Sequence, residues 1–476
     1  MEEALLERRK ELTWGSALVE ELKKVMKMAA PMVVVTLSQY LLQVISMMMV
    51  GHLGELSLSG VAIATSFSIV TGFSLLVSLI DMVGGLETLC GQAYGAKQYQ
   101  QLGTYTYCAI ISLTLVCLPV SLLWIFMEKL LILLGQDPLI AQEAGRYAIW
   151  LIPSLFAYAV LQSLVRFFLA QGLIFPMLLS SSLVLLLHIP LCWALVFPLG
   201  LGNIGAALST GLCNWLNTII LLTYLKYSST CEKTRVHFST DVFISIKKFF
   251  DLAIPSAVMV CLEWWSFELL ILLSGLLPNS KLETSVLSIC LTTTSLHFFI
   301  PYGVGAAASN RISNELGANN PHVARVVVQA AMVLAVTEAV IVSTILLCCR
   351  SVWGYVYSND MEVVNYVKRL SPLLSLSLFA DSLQAVLSGV ARGCGSQHIG
   401  AFINLGAYYI AGIPVAVVLG FLLHLRGMGL WIGMMTGSSV QALLFILITS
   451  FINWPKQATK ARERIFKDSS AGNVLD

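Results

Sequence analysis

The chain alternates long apolar runs with short polar segments that hold most of its charged residues. Runs of about 20 or more apolar residues are long enough to cross a bilayer as a helix. Twelve are predicted, at approximately 28–50, 56–83, 102–126, 147–170, 175–198, 203–226, 247–275, 284–309, 325–349, 366–392, 398–421 and 428–452. The pattern predicts an all-α polytopic membrane protein with both termini on the same side.

The composition supports this class. Hydrophobic residues make up 57% of the chain and charged residues 11%, whereas a soluble domain has about 25% charged residues. The net charge is +2 and no basic stripe stands out, so a lipid bilayer is expected as partner and nucleic acid is not. The first apolar run is too long for the core of a signal peptide, so no cleaved signal is expected. The eleven cysteines include no C-x-x-C pair, and no metal or cofactor is predicted.

Lys and Arg residues set the predicted orientation. If the N-terminus lies inside, 21 of the 28 fall in or beside inside segments and seven fall outside. Cytoplasmic segments carry the excess of positive charge in membrane proteins. Both termini are therefore predicted to be cytoplasmic.

The second half of the chain repeats the first at an offset of 222 to 224 residues. Matched pairs are Pro31 with Pro255, Gly51 with Gly275, Gly95 with Gly317, Gln162 with Gln384, Pro190 with Pro414 and Gly205 with Gly429. Six spans in each half give the halves the same orientation, so they should form two pseudo-symmetric six-helix bundles related by an axis along the membrane normal.

This repeat gives a predicted domain organisation. It comprises an N-terminal tail over residues 1–27, an N-lobe over 28–226, a linker over 227–246, a C-lobe over 247–452 and a C-terminal tail over 453–476. In transport proteins built from two repeated halves of this kind, the substrate site lies between the halves near the bilayer midplane.

Two acids lie deep in apolar runs of the second half, Glu263 and Asp381. A carboxylate at the centre of a membrane helix costs about 2.5–3.5 kcal/mol on insertion scales, so such residues are candidates for function. Burial favours the neutral form of a carboxyl group, which would allow proton exchange near neutral pH. At the repeat offset Glu263 matches Gln39, and Asp381 falls opposite Tyr158 with a one-residue slip. We therefore predict cation coupling in the C-lobe, the alternative being neutral, hydrogen-bonded structural acids.

Three further acids, Glu268, Glu338 and Asp81, are secondary candidates for coupling. Each could instead hydrogen-bond a neighbouring helix. Pro255 lies eight residues before Glu263 and removes a backbone hydrogen bond, which makes it a candidate hinge, although simple packing would also explain it. His188 and His297, the histidines inside spans, are interpreted as core polar groups.

Polar and aromatic residues of the spans suggest a substrate cavity lined by Gln39, Tyr40, Trp264 and Asn404. An aromatic face can bind an organic cation by cation–π attraction. The chain has no G-x-x-x-x-G-K-[ST], H-E-x-x-H or G-x-S-x-G motif, so neither an ATP-driven pump nor a hydrolase is predicted.

Four stretches carry a resemblance to a known family. They are Leu86–Ala96 (LETLCGQAYGA), Cys261–Glu268 (CLEWWSFE), Pro301–Gly303 (PYG) and Ser313–Ala318 (SNELGA). In these motifs, and over residues 20–455, the chain resembles the plant branch of the multidrug and toxic compound extrusion (MATE) family. The resemblance implies two six-helix lobes, alternating access, export of organic cations or secondary metabolites in exchange for protons or Na⁺, and coupling acids at Glu263 and Asp381. Animal relatives carry a further acid in the eighth span, where this chain has Thr292.

The prediction from the sequence is thus a monomeric, proton-coupled antiporter for organic cations, xenobiotics or secondary metabolites, in the plasma membrane or the vacuolar membrane. An Na⁺-coupled exporter and a lipid-linked sugar flippase of the same superfamily remain alternatives. The flippase is less favoured because few buried cations exist beyond Arg166 and Arg392. A polytopic membrane enzyme is disfavoured because no nucleophile–base spacing is present.

Overall fold

A computed structural model describes residues 2–68, 82–236, 241–358 and 360–472, and this part of the chain is almost entirely helical. The α-helices are α1 (Glu2–Gly51), α2 (Glu55–Ser68), α3 (Met82–Gly95), α4 (Tyr99–Ile125), α5 (Met127–Leu133), α6 (Pro138–Ala170), α7 (Ile174–Val196), α8 (Gly202–Tyr227), α9 (Asp241–Ser274), α10 (Ser280–Gly317), α11 (Pro321–Cys348), α12 (Met361–Cys394), α13 (Gln397–Leu422), α14 (Arg426–Ser450) and α15 (Trp454–Gly472). Short 3₁₀ turns lie at Ser229–Thr234 and Trp353–Val356.

Eleven helices within the described residues are long and apolar enough to cross a membrane, and they coincide with eleven of the predicted spans. The remaining predicted span, 56–83, begins in the apolar helix Leu56–Ser68 and runs into residues 69–81, which lie outside the described part. Asp81 lies there too. The all-α polytopic class is confirmed.

Contacts divide the chain into two compact units. The N-unit is Val34–Ala257, and the C-unit combines Met1–Val33 with Val258–Asp476. The boundaries differ from the predicted lobe edges because α1 and α9 each contribute to both units. The two helices change unit at positions 224 residues apart, the offset of the sequence repeat.

Within the C-unit, small residues bring α10 and α12 into backbone contact. A Cβ added at Gly389 would collide with the carbonyl group of Gly305, and one added at Gly393 would lie 2.7 Å from the Ser309 oxygen. This close packing holds the middle of α12, which carries Asp381 and Gln384, against α10.

The helix α13 is not a regular α-helix. Its stretches Gln397–Asn404 and Ile413–Val417 are α-helical, whereas Leu405–Gly412 and Val418–Leu422 are π-helical. A π-helical stretch widens the turn and is frequent at functional sites.

The C-terminal segment, predicted only as a tail, forms the helix α15 in the C-unit. Its residues Trp454, Ala458, Ala461 and Ile465 are buried, which is a single face at helical spacing. The predicted N-terminal tail is likewise helical from Glu2 and continuous with the first span.

Candidate functional site

Glu263 of α9 lies in the interior of the C-unit, with 9% of its surface exposed. Three side-chain amides, from three other helices, donate to its carboxyl group. Gln384 Nε2 lies 2.9 Å from Oε1, while Gln441 Nε2 and Asn404 Nδ2 lie 3.3 Å and 3.4 Å from Oε2. A buried charge is tolerated only when it is hydrogen-bonded or paired, and these donors provide that support.

A second layer of hydrogen bonds orients the amides. Gln441 Nε2 also donates to Asn404 Oδ1 over 2.8 Å, and Asn404 Nδ2 donates to the Met259 carbonyl oxygen over 2.6 Å. The hydroxyl group of Tyr408, from the π-helical stretch of α13, donates to Gln441 Oε1 over 2.7 Å. The amides of Gln441 and Asn404 therefore have their donor sides fixed toward Glu263.

Asp381 of α12 belongs to the same network. Its carboxyl group is hydrogen-bonded to Ser438 and interacts electrostatically with Glu263. The Ser438 hydroxyl lies 3.4 Å from that of Tyr408, so hydrogen bonds lead from Glu263 through Gln441, Tyr408 and Ser438 to Asp381. The two acids singled out in the sequence thus meet in one buried network of the C-unit.

Arg392 is the cation that interacts electrostatically with Glu263. Its guanidinium group donates to Ser388 over 3.0 Å and lies 5.9 Å above the ring centroid of Tyr302. This arrangement places one positive charge near the network of the two acids.

Glu338 of α11 forms a separate cluster. Its Oε1 lies 2.6 Å from His297 Nε2 of α10, and the Ser382 hydroxyl donates to its Oε2 over 2.9 Å. Glu338 thus makes the interhelical hydrogen bonds considered for it from the sequence, and the cluster adjoins Asp381 through Ser382.

Glu268 is exposed, unlike Glu263, Asp381 and Glu338. The expected hydrogen bond to a neighbouring helix is not found among the described residues. It lies five residues after Glu263, about 140° round the helix, and so faces away from the network.

The residues predicted to line a cavity have different environments. Asn404 is fully buried and contacts Glu263, so in the C-unit it belongs to the carboxyl network rather than to an open surface. Trp264 is half-buried and packs edge-on against Phe298, with ring centroids 6.1 Å apart. Gln39 and Tyr40, in the N-unit, are also half-buried.

The N-unit contains a neutral counterpart of the Glu263 contact. Gln162 Nε2 donates to Gln39 Oε1 over 3.0 Å, and these two residues match Gln384 and Glu263 at the repeat offsets. A different charge pair is buried elsewhere in this unit, where Arg166 Nη1 lies 3.0 Å from Glu87 Oε2.

Comparison with known proteins decides the family. The MatE family model matches the chain twice, over residues 31–194 and 255–418. Together the matches cover more than half of the 476 residues. The chain belongs to the MatE family. The two matches begin 224 residues apart, so the internal repeat found in the sequence is the repeat of the MATE fold.

Plant MATE proteins are similar along almost the whole chain. Protein DETOXIFICATION 3 of Arabidopsis thaliana is 58% identical over 454 residues, 95% of each chain. Protein DETOXIFICATION 12 of the same plant is 55% identical over 464 residues, 97% of this chain and 96% of the relative. The resemblance to the plant branch of the MATE family is confirmed.

Solved MATE structures share the fold. The crystal structure of the eukaryotic MATE transporter AtDTX14 superposes with a TM-score of 0.90 at 55% identity and covers 94% of this chain and 100% of that one. A MATE family transporter in an outward-facing conformation reaches a TM-score of 0.82 at 16% identity, with 93% of this chain and 97% of that one covered, and shows the fold alone. The protein is an integral multi-pass membrane transporter of small organic substrates, and not an enzyme.

Four polar residues of the network around Glu263 and Asp381 do not stand out in the sequence. Gln384 is visible there only as a marker of the repeat, and Tyr408, Ser438 and Gln441 carry no motif. Gln441 lies within the last apolar run, and a buried amide in a membrane span needs a partner. That signal could have found Gln441, but its partner depends on which faces of α9 and α14 meet.

Proposed function

We propose that this MATE transporter exports organic cations, xenobiotics or secondary metabolites in exchange for protons, with Glu263 and Asp381 as the coupling groups. The observation that carries the proposal is the buried hydrogen-bond network that joins these two acids in the C-unit. The N-unit has the neutral pair Gln39 and Gln162 at the equivalent position, so ion coupling is assigned to one half.

The network can hold Glu263 in either protonation state. As a carboxylate, Glu263 accepts the three amide donors. As a neutral acid it must donate a hydrogen bond, and Gln384 Oε1 is a buried acceptor without a partner among the described residues. A rotation of the Gln384 amide would present that oxygen to the new O–H group. Uptake of one proton therefore changes the hydrogen bonds between α9 and α12.

We propose that this change drives alternating access. Protons from the outside or from the vacuole, one for each acid, neutralise Glu263 and Asp381, and the helices repack so that substrate leaves. Release of these protons to the cytoplasm restores the charges that attract the next organic cation. Pro255, three residues before α9 passes into the C-unit at Val258, is the proposed hinge.

Protons fit the network better than Na⁺ does. Hard metal cations are bound by several oxygen ligands, whereas the groups aimed at Glu263 are N–H donors from Gln384, Gln441 and Asn404. A flippase for lipid-linked sugars would use strongly cationic surroundings, and Arg166 is already paired with Glu87. We also propose cytoplasmic termini, a monomeric state and a plasma or vacuolar membrane location.

Transport in proteoliposomes tests this proposal. Efflux of a fluorescent organic cation is measured under an imposed pH gradient, and separately under an Na⁺ gradient, for the wild type, Glu263→Gln and Glu268→Gln. We expect the wild type and Glu268→Gln to respond to the pH gradient and to ignore Na⁺, and Glu263→Gln to lose the response. Glu268 is a matched control because it is an exposed acid on the same helix. A Glu263→Gln variant that responds like the wild type would overturn the assignment, and a response to Na⁺ alone would favour the sodium alternative.

A further inference from the structure

The cluster of His297, Glu338 and Ser382 has a proton acceptor and a counter-charge in direct contact. The 2.6 Å separation of His297 Nε2 and Glu338 Oε1 is slightly shorter than the roughly 2.7–2.9 Å of charge-assisted N–H···O hydrogen bonds. The side chains are 3% and 14% exposed. An imidazolium in such surroundings needs an anion to offset its charge, and the carboxyl group of Glu338 is placed to provide one.

The same cluster reaches Asp381 through the adjacent residue of α12. The Ser382 hydroxyl donates to Glu338 and lies 3.3 Å from His297 Nε2, which fixes α10 and α11 against the turn that carries Asp381. His297 also interacts electrostatically with Asp381. Among the described residues, Glu338 of α11 contacts His297 directly and Asp381 of α12 interacts with it electrostatically. Glu263 of α9 interacts in turn with Asp381.

Two atoms of this cluster have unused hydrogen-bonding capacity. His297 Nδ1 and Asp381 Oδ1 are buried and have no partner within the described residues, and the two residues are only 5% and 4% exposed. A buried polar group without a partner is destabilising. A nitrogen that can carry a proton and an oxygen that can accept one are therefore available on interacting residues, and in this structure the two atoms are not hydrogen-bonded to each other.

We propose that His297, held by Glu338, is a second proton-binding site that passes its proton to Asp381. In this step rotation of the Asp381 carboxyl group brings Oδ1 into contact with His297 Nδ1. The Nδ1–H bond of the imidazolium then breaks, its electron pair stays on Nδ1, and an O–H bond forms at Asp381 Oδ1. His297 then remains neutral with its Nε2–H donated to Glu338. A hydronium ion from the aqueous phase restores the proton on Nδ1. Glu338 acts as a positioning residue, because it stabilises the charged ring without touching the substrate.

The inference rests on the proposed proton antiport and predicts a pH signature. Without His297, Asp381 must take its proton directly from water, which is faster at acidic pH. We expect His297→Gln to lower the rate of gradient-driven efflux at neutral external pH by at least about tenfold, which is less than the roughly 10²–10⁴-fold that a positioned proton donor usually contributes. Acidic external pH should restore the rate, and the substrate KM should not change.

Variants of the partners make the test independent of one substitution. Glu338→Gln removes the counter-charge and should give the same pH profile, and the double variant should be no slower than either single one because both act in one step. Ser382→Ala should shift the profile in the same direction by less, and it serves where His297→Gln fails to fold. His188→Gln is the matched control, a buried histidine bonded to Ser46 in the N-unit, and should leave the profile unchanged.

The outcomes separate the two proposals. A His297→Gln profile that superimposes on the wild type, or a loss equal at every pH with a raised KM, would overturn the relay, while Glu263→Gln in the same assay still reports on proton antiport. If the wild type itself ignores the pH gradient, the proposed function fails and the relay fails with it.

Discussion

The amide of Gln384 donates a hydrogen bond to the carboxyl group of Glu263 over 2.9 Å. The N-unit makes the same contact between Gln162 and Gln39 over 3.0 Å. This duplicated contact is thus ionisable in the second half and neutral in the first. The reason is that the second half has Glu263 where the first half has Gln39. The neutral copy shows that the amide pair is compatible with the fold, so Glu263→Gln should remove charge without disturbing packing.

Replacing Gln384 by Leu should make Glu263 hold its proton more tightly. The substitution removes a donor to the charged form, and a hydrogen bond to a charged group contributes about 1.5–3 kcal/mol. Since one pH unit corresponds to about 1.4 kcal/mol, the cytoplasmic pH for half-maximal turnover should rise by about 1–2 units. The pH dependence of efflux measures this shift. Gln162→Leu is the matched control in the N-unit, and an equal shift there would contradict the assignment of coupling to Glu263.

Glu87 and Arg166 form a buried ion pair. Replacing one of the two residues should destabilise the protein more than replacing both. Either Glu87→Leu or Arg166→Met leaves an uncompensated charge and should cost about 3–5 kcal/mol, whereas the double variant should recover much of that. Thermal unfolding in detergent gives the comparison. Arg146→Ala removes an exposed ion pair with Glu143 and should change the free energy of unfolding by at most about 1 kcal/mol. A double variant no more stable than the singles would argue against the pair as the cause.

Arg464 should hold the C-terminal helix in place. Its guanidinium group donates to the carbonyl oxygens of Cys394 and Gly395 over 3.3 Å and 3.2 Å, at the C-terminal end of α12. Burial lowers the pKa of Arg464 below its usual value, the effect of taking this charge out of water. Arg464→Ala should therefore speed hydrogen exchange over residues 454–466. Arg462→Ala should not, since Arg462 is exposed and stacks on Phe466 of its own helix.

Gly389→Ala should weaken the packing of α10 on α12. The added methyl group collides with the backbone of Gly305, and overpacking of this kind costs about 1–3 kcal/mol. A lower midpoint of thermal unfolding in detergent is expected. Gly406→Ala is the control because nothing lies within 4 Å of its added Cβ, and an equal loss there would point to a general effect of alanine.

Much of the site is accessible from the sequence because charge in a membrane span is conspicuous. Glu263 and Asp381 stand out against apolar neighbours, and the offset of 224 residues alone gives the match between Glu263 and Gln39. The same reasoning places Glu268 on another face of its helix, but it cannot tell that this face is exposed. It proposes Asn404 as part of a cavity lining, but it cannot tell that this residue is fully buried and contacts Glu263.

The sequence by itself determined the membrane class, the duplicated halves and the residues that could titrate. These follow from composition, periodicity and the cost of burying charge, all of which are local properties of the chain. Only the tertiary structure decided which polar groups meet. The partners of Glu263 come from α12, α13 and α14, and His297 contacts Glu338, which lies 41 residues further along the chain. Helix rotation and the π-helical stretch of α13 set which of these side chains face one another. Those contacts depend on packing between distant segments, which no local pattern encodes.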